Sequence, residues 1–234
     1  MKYLITNADD FGFTRDVNEG IVHANREGIL TATTLMATGT EFEHAAALAR
    51  ETPELDVGVH LVLVDSAGFP SSLTQFVLSV GHMRVYDELA RQVEKVVKAG
   101  IQPTHLDTHK HTHLMPPVFA AIVRITKEFG IPWVRRRFGP VRWLGSRGCR
   151  TTDHFAGFLM TGRFGKAQLA RLIRRLPEGS TEFMCHPGFC TDELRATRTR
   201  LKESRRRELD ALTSVEVRAA IKESGVKLVS YRDL

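Results

Sequence analysis

The chain has 234 residues, 42% hydrophobic and 26% charged, a globular balance that excludes long disorder and collagen-like repeats. Its net charge of +6 gathers in Arg135 to Arg137 and Arg195 to Arg207, and with no nucleic-acid-binding motif beside it that excess reads as a solvated helix face. Cys149, Cys185 and Cys190 fit neither a disulfide framework nor a zinc ribbon; no apolar leader and no apolar run of about 18 residues occurs, so the expectation is a cytoplasmic protein without an integral membrane segment.

Tyr3 to Asn7 is an apolar run that stops at a polar cluster, as a buried strand does when it delivers residues to a site. Helical patterning follows from Asp16 to Glu27, with Gly28 placed to close it in the left-handed conformation. Thr31 to Met36 reads as a strand, Glu41 to Arg50 as a helix, and Asp56 to Val64 as a strand through His60. Asp65 to Val85, with its glycines, Pro70 and serines, reads as a long loop walling or covering a pocket. A helix at Tyr86 to Ala99, a strand at Thr104 to Asp107 and a helix at Pro117 to Gly130 come next. Trp133 to Val134 and Phe183 to Cys185 read as short strands, with a helix at Lys166 to Leu176 between them. Helices at Leu201 to Leu212 and Val215 to Ser224 and a strand at Val226 to Ser230 complete the pattern.

Six or seven strands alternating with helices predict a parallel sheet, and polar residues at several strand ends favour an irregular (β/α) barrel over an open doubly wound sheet. No linker and no internal repeat divides the chain, so residues 1–234 are read as one domain.

The stretch His105-Leu-Asp-Thr-His-Lys-His-Thr-His113 holds four of the ten histidines. With Asp107 they share odd positions, which in an extended chain puts them on one face; a helix would instead pair His109 with His113. Either arrangement suits a divalent metal, with Asp10 and His60 as supplements from other strand ends. Adjacent Asp9 and Asp10 repel unless a cation separates their roles, one ligating and one remaining as a general base. Gly12 lets the chain turn there. His186, before Pro187 and Gly188, is placed to act as a general acid, while neighbouring Cys185 faces the core. No G-x-S-x-G, P-loop, G-x-G-x-x-G or H-E-x-x-H occurs, which leaves metal-assisted hydrolysis.

Taken in order, NADDFG, GVHLVL (58–63), HLDTHKHTHLMP (105–116), EFMCHPGF (182–189) and the closing SYRDL resemble the YdjC-like carbohydrate deacetylases, a family that includes chitooligosaccharide deacetylases and hopanoid-associated members. The resemblance implies a (β/α) barrel that binds one divalent metal ion, zinc or magnesium, and removes acetyl groups from N-acetylglucosamine-containing oligosaccharides or glycolipids. It implies Asp10, His60 and His109 as metal ligands, Asp9 as base, His186 as the acid that protonates the leaving amine, and His113 as a substrate contact. Lys110 replaces a histidine frequent in the family, and segments 65–85 and 139–152 are shorter than in the chitooligosaccharide enzymes. A metal-dependent phosphohydrolase and a non-catalytic sugar-binding protein stand as alternatives, and a homodimer is left open.

Overall fold

The computed structural model describes residues 1–64, 66, 68–139 and 148–234. Its centre is β1 (Lys2–Phe11), in which every residue from Leu4 to Phe11 is buried. A strand buried on both faces needs both edges paired and both faces covered, which is the parallel-sheet condition. One edge of β1 pairs from Lys2 to Ala8 with β7 (Gly179–Cys185). The other pairs first with β8 (Lys227–Leu228) at Tyr3 and Leu4, then with β2 (Ala32–Leu35) from Asn7 onward. Beyond these lie β3 (Asp56–Leu61), β4 (His105–Thr108) and β5 (Trp133–Val134) on one side and β6 (His154–Ala156) on the other. The order is β5-β4-β3-β2-β1-β7-β6 and every pairing is parallel, a curled half-barrel as the alternating pattern predicts.

Helices α1 (Arg15–Arg26), α2 (Phe42–Glu51), α4 (Val85–Lys98), α5 (Pro116–Phe129) and α6 (Lys166–Arg174) follow the strands, each with a buried apolar stripe. After β7 come α7 (Asp192–Ala196), α8 (Glu203–Leu212) and α9 (Val215–Ser224). The start of α1 is tied to α7 reciprocally. Glu193 accepts the Arg15 and Asp16 amides, and Asp16 accepts those of Thr191 and Leu194, so each helix satisfies orphan donors of the other.

Several expectations change. The segment from 65 to 85, of which Asp65 and Ala67 lie outside the described residues, is not a plain exposed loop. It contains α3 (Leu73–Ser79), whose Phe76 is fully buried, while Leu73, Val77 and Leu78 face solvent. Beta strand β6 was too short to register as a pattern, and β8 is limited to two residues. Gly28 is not a left-handed cap: α1 ends on Glu27, and a Cβ on Gly28 would stand 2.5 Å from the Ala24 carbonyl oxygen and 2.7 Å from that of Leu212. That glycine serves close packing. Among the described residues no helix is long and apolar enough to cross a membrane.

Gly20 makes the approach that seats α1 against the segment leaving β7, since a Cβ there would lie 2.5 Å from Gly188 Cα. In an exposed helix Gly→Ala gains about 1 kcal/mol; here the added methyl meets backbone and the sign reverses. Gly20→Ala is expected to cost about 1–3 kcal/mol, measured as a lowered urea midpoint. A raised midpoint would mean that α1 moves off the 186–189 segment without cost.

Candidate metal and catalytic site

The polar side chains converge at the carboxyl ends of the strands. Asp9 and Asp10 come from the end of β1, His60 from β3, Asp107 from β4, Arg135 from the residue after β5, and His186 from the residue after β7. The β1–β2 register slips between Ala8 and Phe11, and Asp10 takes a left-handed backbone with φ +70°. That local distortion aims two adjacent carboxylates at different partners instead of at opposite faces of a flat strand.

Asp10 Oδ1 lies 3.4 Å from His60 Nε2 and 3.5 Å from His109 Nδ1, and the two ring nitrogens are 3.2 Å apart. Ligand atoms held at zinc distances in tetrahedral geometry stand about 3.3 Å from one another, so these three atoms already have the spacing of a metal site with a position left open. The donor types fit as well, two imidazoles and one carboxylate. His60 Nδ1 faces Asp107 Oδ1 at 2.7 Å, and Thr34 Oγ1 donates to Asp107 Oδ2 at 3.1 Å; this fixes the ring and turns its Nε2 lone pair toward the cluster. Burial lowers the proton affinity of His60, but Asp107, Asp9 and Asp10 outweigh it and push the pKa up to about 9. The same carboxylates favour a metal cation there, which would take the place of that proton.

A second group, Asp9, His60 and Asp107, is also close enough to hold an ion, but its oxygens are taken. Arg135 grips Asp9 with two hydrogen bonds, Nη1 to Oδ2 at 2.8 Å and Nη2 to Oδ1 at 2.6 Å. It also reaches Asp107 Oδ2 at 2.8 Å and Glu182 Oε1 at 2.7 Å. Arg135 is 1% exposed, so a single guanidinium balances three buried carboxylates. Burial pushes Asp9 up, yet Arg135, with His60 and His186, holds it well below the usual carboxylate range. Asp9 stays anionic.

His186 Nε2 lies 3.9 Å from Asp9 Oδ2, and its Nδ1 is buried without a partner among the described residues. Burial lowers its pKa to about 4 against the pull of Asp9 and Asp10, with Arg205 and Arg135 adding to the decrease, so the ring is neutral near pH 7. Its amide donates to Glu208 Oε2 at 2.6 Å, while Glu208 Oε1 accepts the Gly162 amide at 2.9 Å. On the same helix, Arg205 Nη2 donates to Asp10 Oδ2 at 2.6 Å.

The His-rich stretch forms neither an extended wall nor an α-helix. His105 and Asp107 share a face of β4, but His105 sits deeper, stacked on Tyr231 at 4.0 Å and facing Asn7 Oδ1 at 3.0 Å. From His109 the chain enters a short 3-10 segment in which Lys110 and His111 are left-handed, φ 54° and 53°. That reversal sends His109 to Asp10 and His60, and His113 inward to Thr108, whose Oγ1 is 2.8 Å from Nδ1. His113 Nε2 is buried and has no partner among the described residues. The His111 ring meets Phe138 and Phe158 edge-on at 5.2 and 5.0 Å.

Sequence reasoning missed Arg135, Arg205 and Glu208, and counted both arginines as solvated charge. A signal existed for two of them: Leu201, Arg205, Glu208 and Leu212 recur at helical spacing, so Arg205 and Glu208 lie on the apolar stripe. For Arg135 the signal was its place directly after a strand.

Burial raises the Glu208 carboxyl from 4.5 to about 7, outweighing the two amide bonds, Arg205 and Arg207. The folded chain therefore binds this proton more tightly than the unfolded one. Its contribution to stability is whole below the unfolded pKa and is lost as pH rises through about 7. From pH 5 to 8 the urea midpoint of the parent should fall relative to that of Glu208→Gln, which is neutral throughout; equal slopes would show that burial does not set this titration.

With the geometry in place, kinship can be stated. The family model described as YdjC-like protein matches residues 3–223. A carbohydrate deacetylase from Geobacillus stearothermophilus is 35% identical, covering 99% of this chain and 98% of that protein. A chitooligosaccharide deacetylase from Klebsiella pneumoniae is 33% identical, covering 100% and 99%. Among solved structures, a protein from Enterococcus faecalis V583 provisionally named for cellobiose-phosphate cleavage superposes with a TM-score of 0.88 at 28% identity, covering 99% of this chain and 98% of that one. A family 4 carbohydrate esterase from Streptomyces lividans, 10% identical with a TM-score of 0.57 over 99% of this chain and 94% of that one, shares the fold. A match that runs through nearly the whole chain, together with relatives above 30% identity, identifies this protein as a member of the YdjC-like family.

Proposed function

We propose that this chain is a metal-dependent carbohydrate deacetylase that hydrolyses the acetamide of an N-acetylated sugar, an N-acetylglucosamine-containing oligosaccharide or glycolipid. One observation carries the reading: three donors from separate strand ends, Asp10, His60 and His109, lie 3.2 to 3.5 Å apart beside an anionic Asp9 and a neutral His186. The curated relatives that match over their full length are named for the same chemistry.

Asp10, His60 and His109 would hold the ion. When bound, a divalent metal polarises an acyl oxygen and lowers the pKa of water toward about 7. Asp9, kept anionic and oriented by the Arg135 fork, accepts the proton that the attacking water loses. His186, 3.9 Å away, takes that proton from Asp9 and passes it to the departing nitrogen, so that the ring returns to its neutral form as the carbon–nitrogen bond breaks to acetate and a free amine. His113 Nε2, buried and without a partner among the described residues, is the group assigned to meet the substrate. A two-metal phosphohydrolase would need the Asp9 and Asp107 oxygens as ligands, and their engagement by Arg135 speaks against it.

The test is acetate release from N-acetylated chitooligosaccharides and acetylated glycolipids by protein supplied with zinc or magnesium. Asp9→Asn keeps the side-chain shape but cannot accept the proton, so kcat should fall about 10²- to 10⁴-fold with metal content maintained. Asp10→Asn, His60→Ala and His109→Ala should lose metal first, measured by metal analysis after dialysis. Full metal occupancy in His60→Ala, or metal loss confined to Asp9→Asn, would overturn the assignment.

A further inference from the structure

Helix α8 is charged along most of its length, yet it turns two ionic side chains inward. Arg205 is 2% exposed and Glu208 1% exposed, among Leu209, Ala211 and Leu212. Burying a guanidinium costs several kcal/mol unless its donors are met, and Arg205 meets its cost at one address. Its Nη2 holds Asp10 Oδ2 at 2.6 Å, Nε donates to the Leu201 carbonyl at 3.3 Å, and Nη1 has no partner among the described residues. The stem is walled in, because a Cβ on Gly188 would lie 3.3 Å from Arg205 Cδ.

The grip divides the two oxygens of one carboxylate. Oδ2 belongs to Arg205, and Oδ1 is the atom 3.4 and 3.5 Å from the His60 and His109 nitrogens. Asp10 sits at φ +70° in the irregular end of β1, where strand pairing no longer fixes its direction. Something else must set it. We propose that Arg205 is a positioning residue that holds Asp10 as a one-oxygen metal ligand, so that α8 completes the metal site from outside the sheet. The inference rests on the reading of Asp10, His60 and His109 as metal ligands.

Positioning and simple charge compensation predict opposite signs. A cation beside a ligand repels a metal, so if Arg205 were only a counter-charge its removal would tighten binding. If it positions the carboxylate, removal frees Asp10 to rotate and weakens binding, by about 10- to 100-fold for a lost outer partner of a ligand. Calorimetric titration of zinc chloride into chelator-stripped protein separates the two. Arg205→Met should bind zinc 10- to 100-fold more weakly, Arg205→Lys, which keeps the charge and loses the fork, should fall between, and Arg206→Met on the same helix, paired at the surface with Asp210, should match the parent. Zinc binding by Arg205→Met that is unchanged or tighter overturns the proposal; if that variant does not fold, parent-like affinity in Arg205→Lys overturns it. His60→Ala serves as the control for the underlying reading: if it binds zinc like the parent, the metal site itself is wrong, whereas its loss of zinc beside an unaffected Arg205→Met sinks only the role of Arg205.

Discussion

Three carboxylates and one guanidinium, all but sealed from water, decide what this site can be. Asp9, Asp107 and Glu182 come from three strands, and Arg135 touches each of them. Buried anions at such range would otherwise take up protons or force the strands apart. Glu182, pushed up by burial to about 6 despite Arg135, marks the limit of what one cation can hold. The allocation has a chemical result: Asp9 remains an anion fixed by a two-bond fork, and Asp107 remains an acceptor that orients His60.

The second constraint is geometric. A regular strand would point Asp9 and Asp10 to opposite faces, and the site needs both on the mouth side. The slip in register after Ala8, the positive φ of Asp10 and the turn at Gly12, φ +100°, supply the departure. A side chain at Gly12 would be strained by that φ and tightly placed as well, its Cβ 3.2 Å from the Met36 carbonyl oxygen and 3.3 Å from the Leu35 side chain. Strain placed at a functional residue is retained only where neighbours over-determine it. Here the hydrogen bond from the Gly12 amide to Asn18 at 2.6 Å and the ion pair with Arg205 do so.

The alternation of strands and helices was legible because period-2 and period-3.6 patterns are local. So were the candidate ligands, because a histidine or aspartate at the end of an apolar run has few reasons to be there other than chemistry. What escaped was non-local. Arg135 stands in a run of three arginines and Arg205 in RRREL, where the charge of the neighbours masks the faint local signals, and the packing of distant elements decides which guanidinium is buried. The left-handed turn at Lys110 and His111 carries no glycine to announce it, so the path of the His-rich stretch differs from both expected arrangements, although it does bring His109 beside Asp10 and His60. Strand β6 and helix α7 are too short for any periodicity to emerge, and part of the 139–152 segment lies outside the described residues.

The position of β1 has a consequence for biosynthesis. The strand that carries both aspartates is made well before its principal neighbour: β7 lies 177 residues further along by register, Lys2 against Gly179, and β8 comes later still. At about 5–20 residues per second, roughly 10 to 35 s pass before that edge can pair. During the interval an apolar strand with open backbone donors and acceptors is a template for wrong partners. The growing chain must therefore keep that edge of β1 away from wrong partners until β7 arrives.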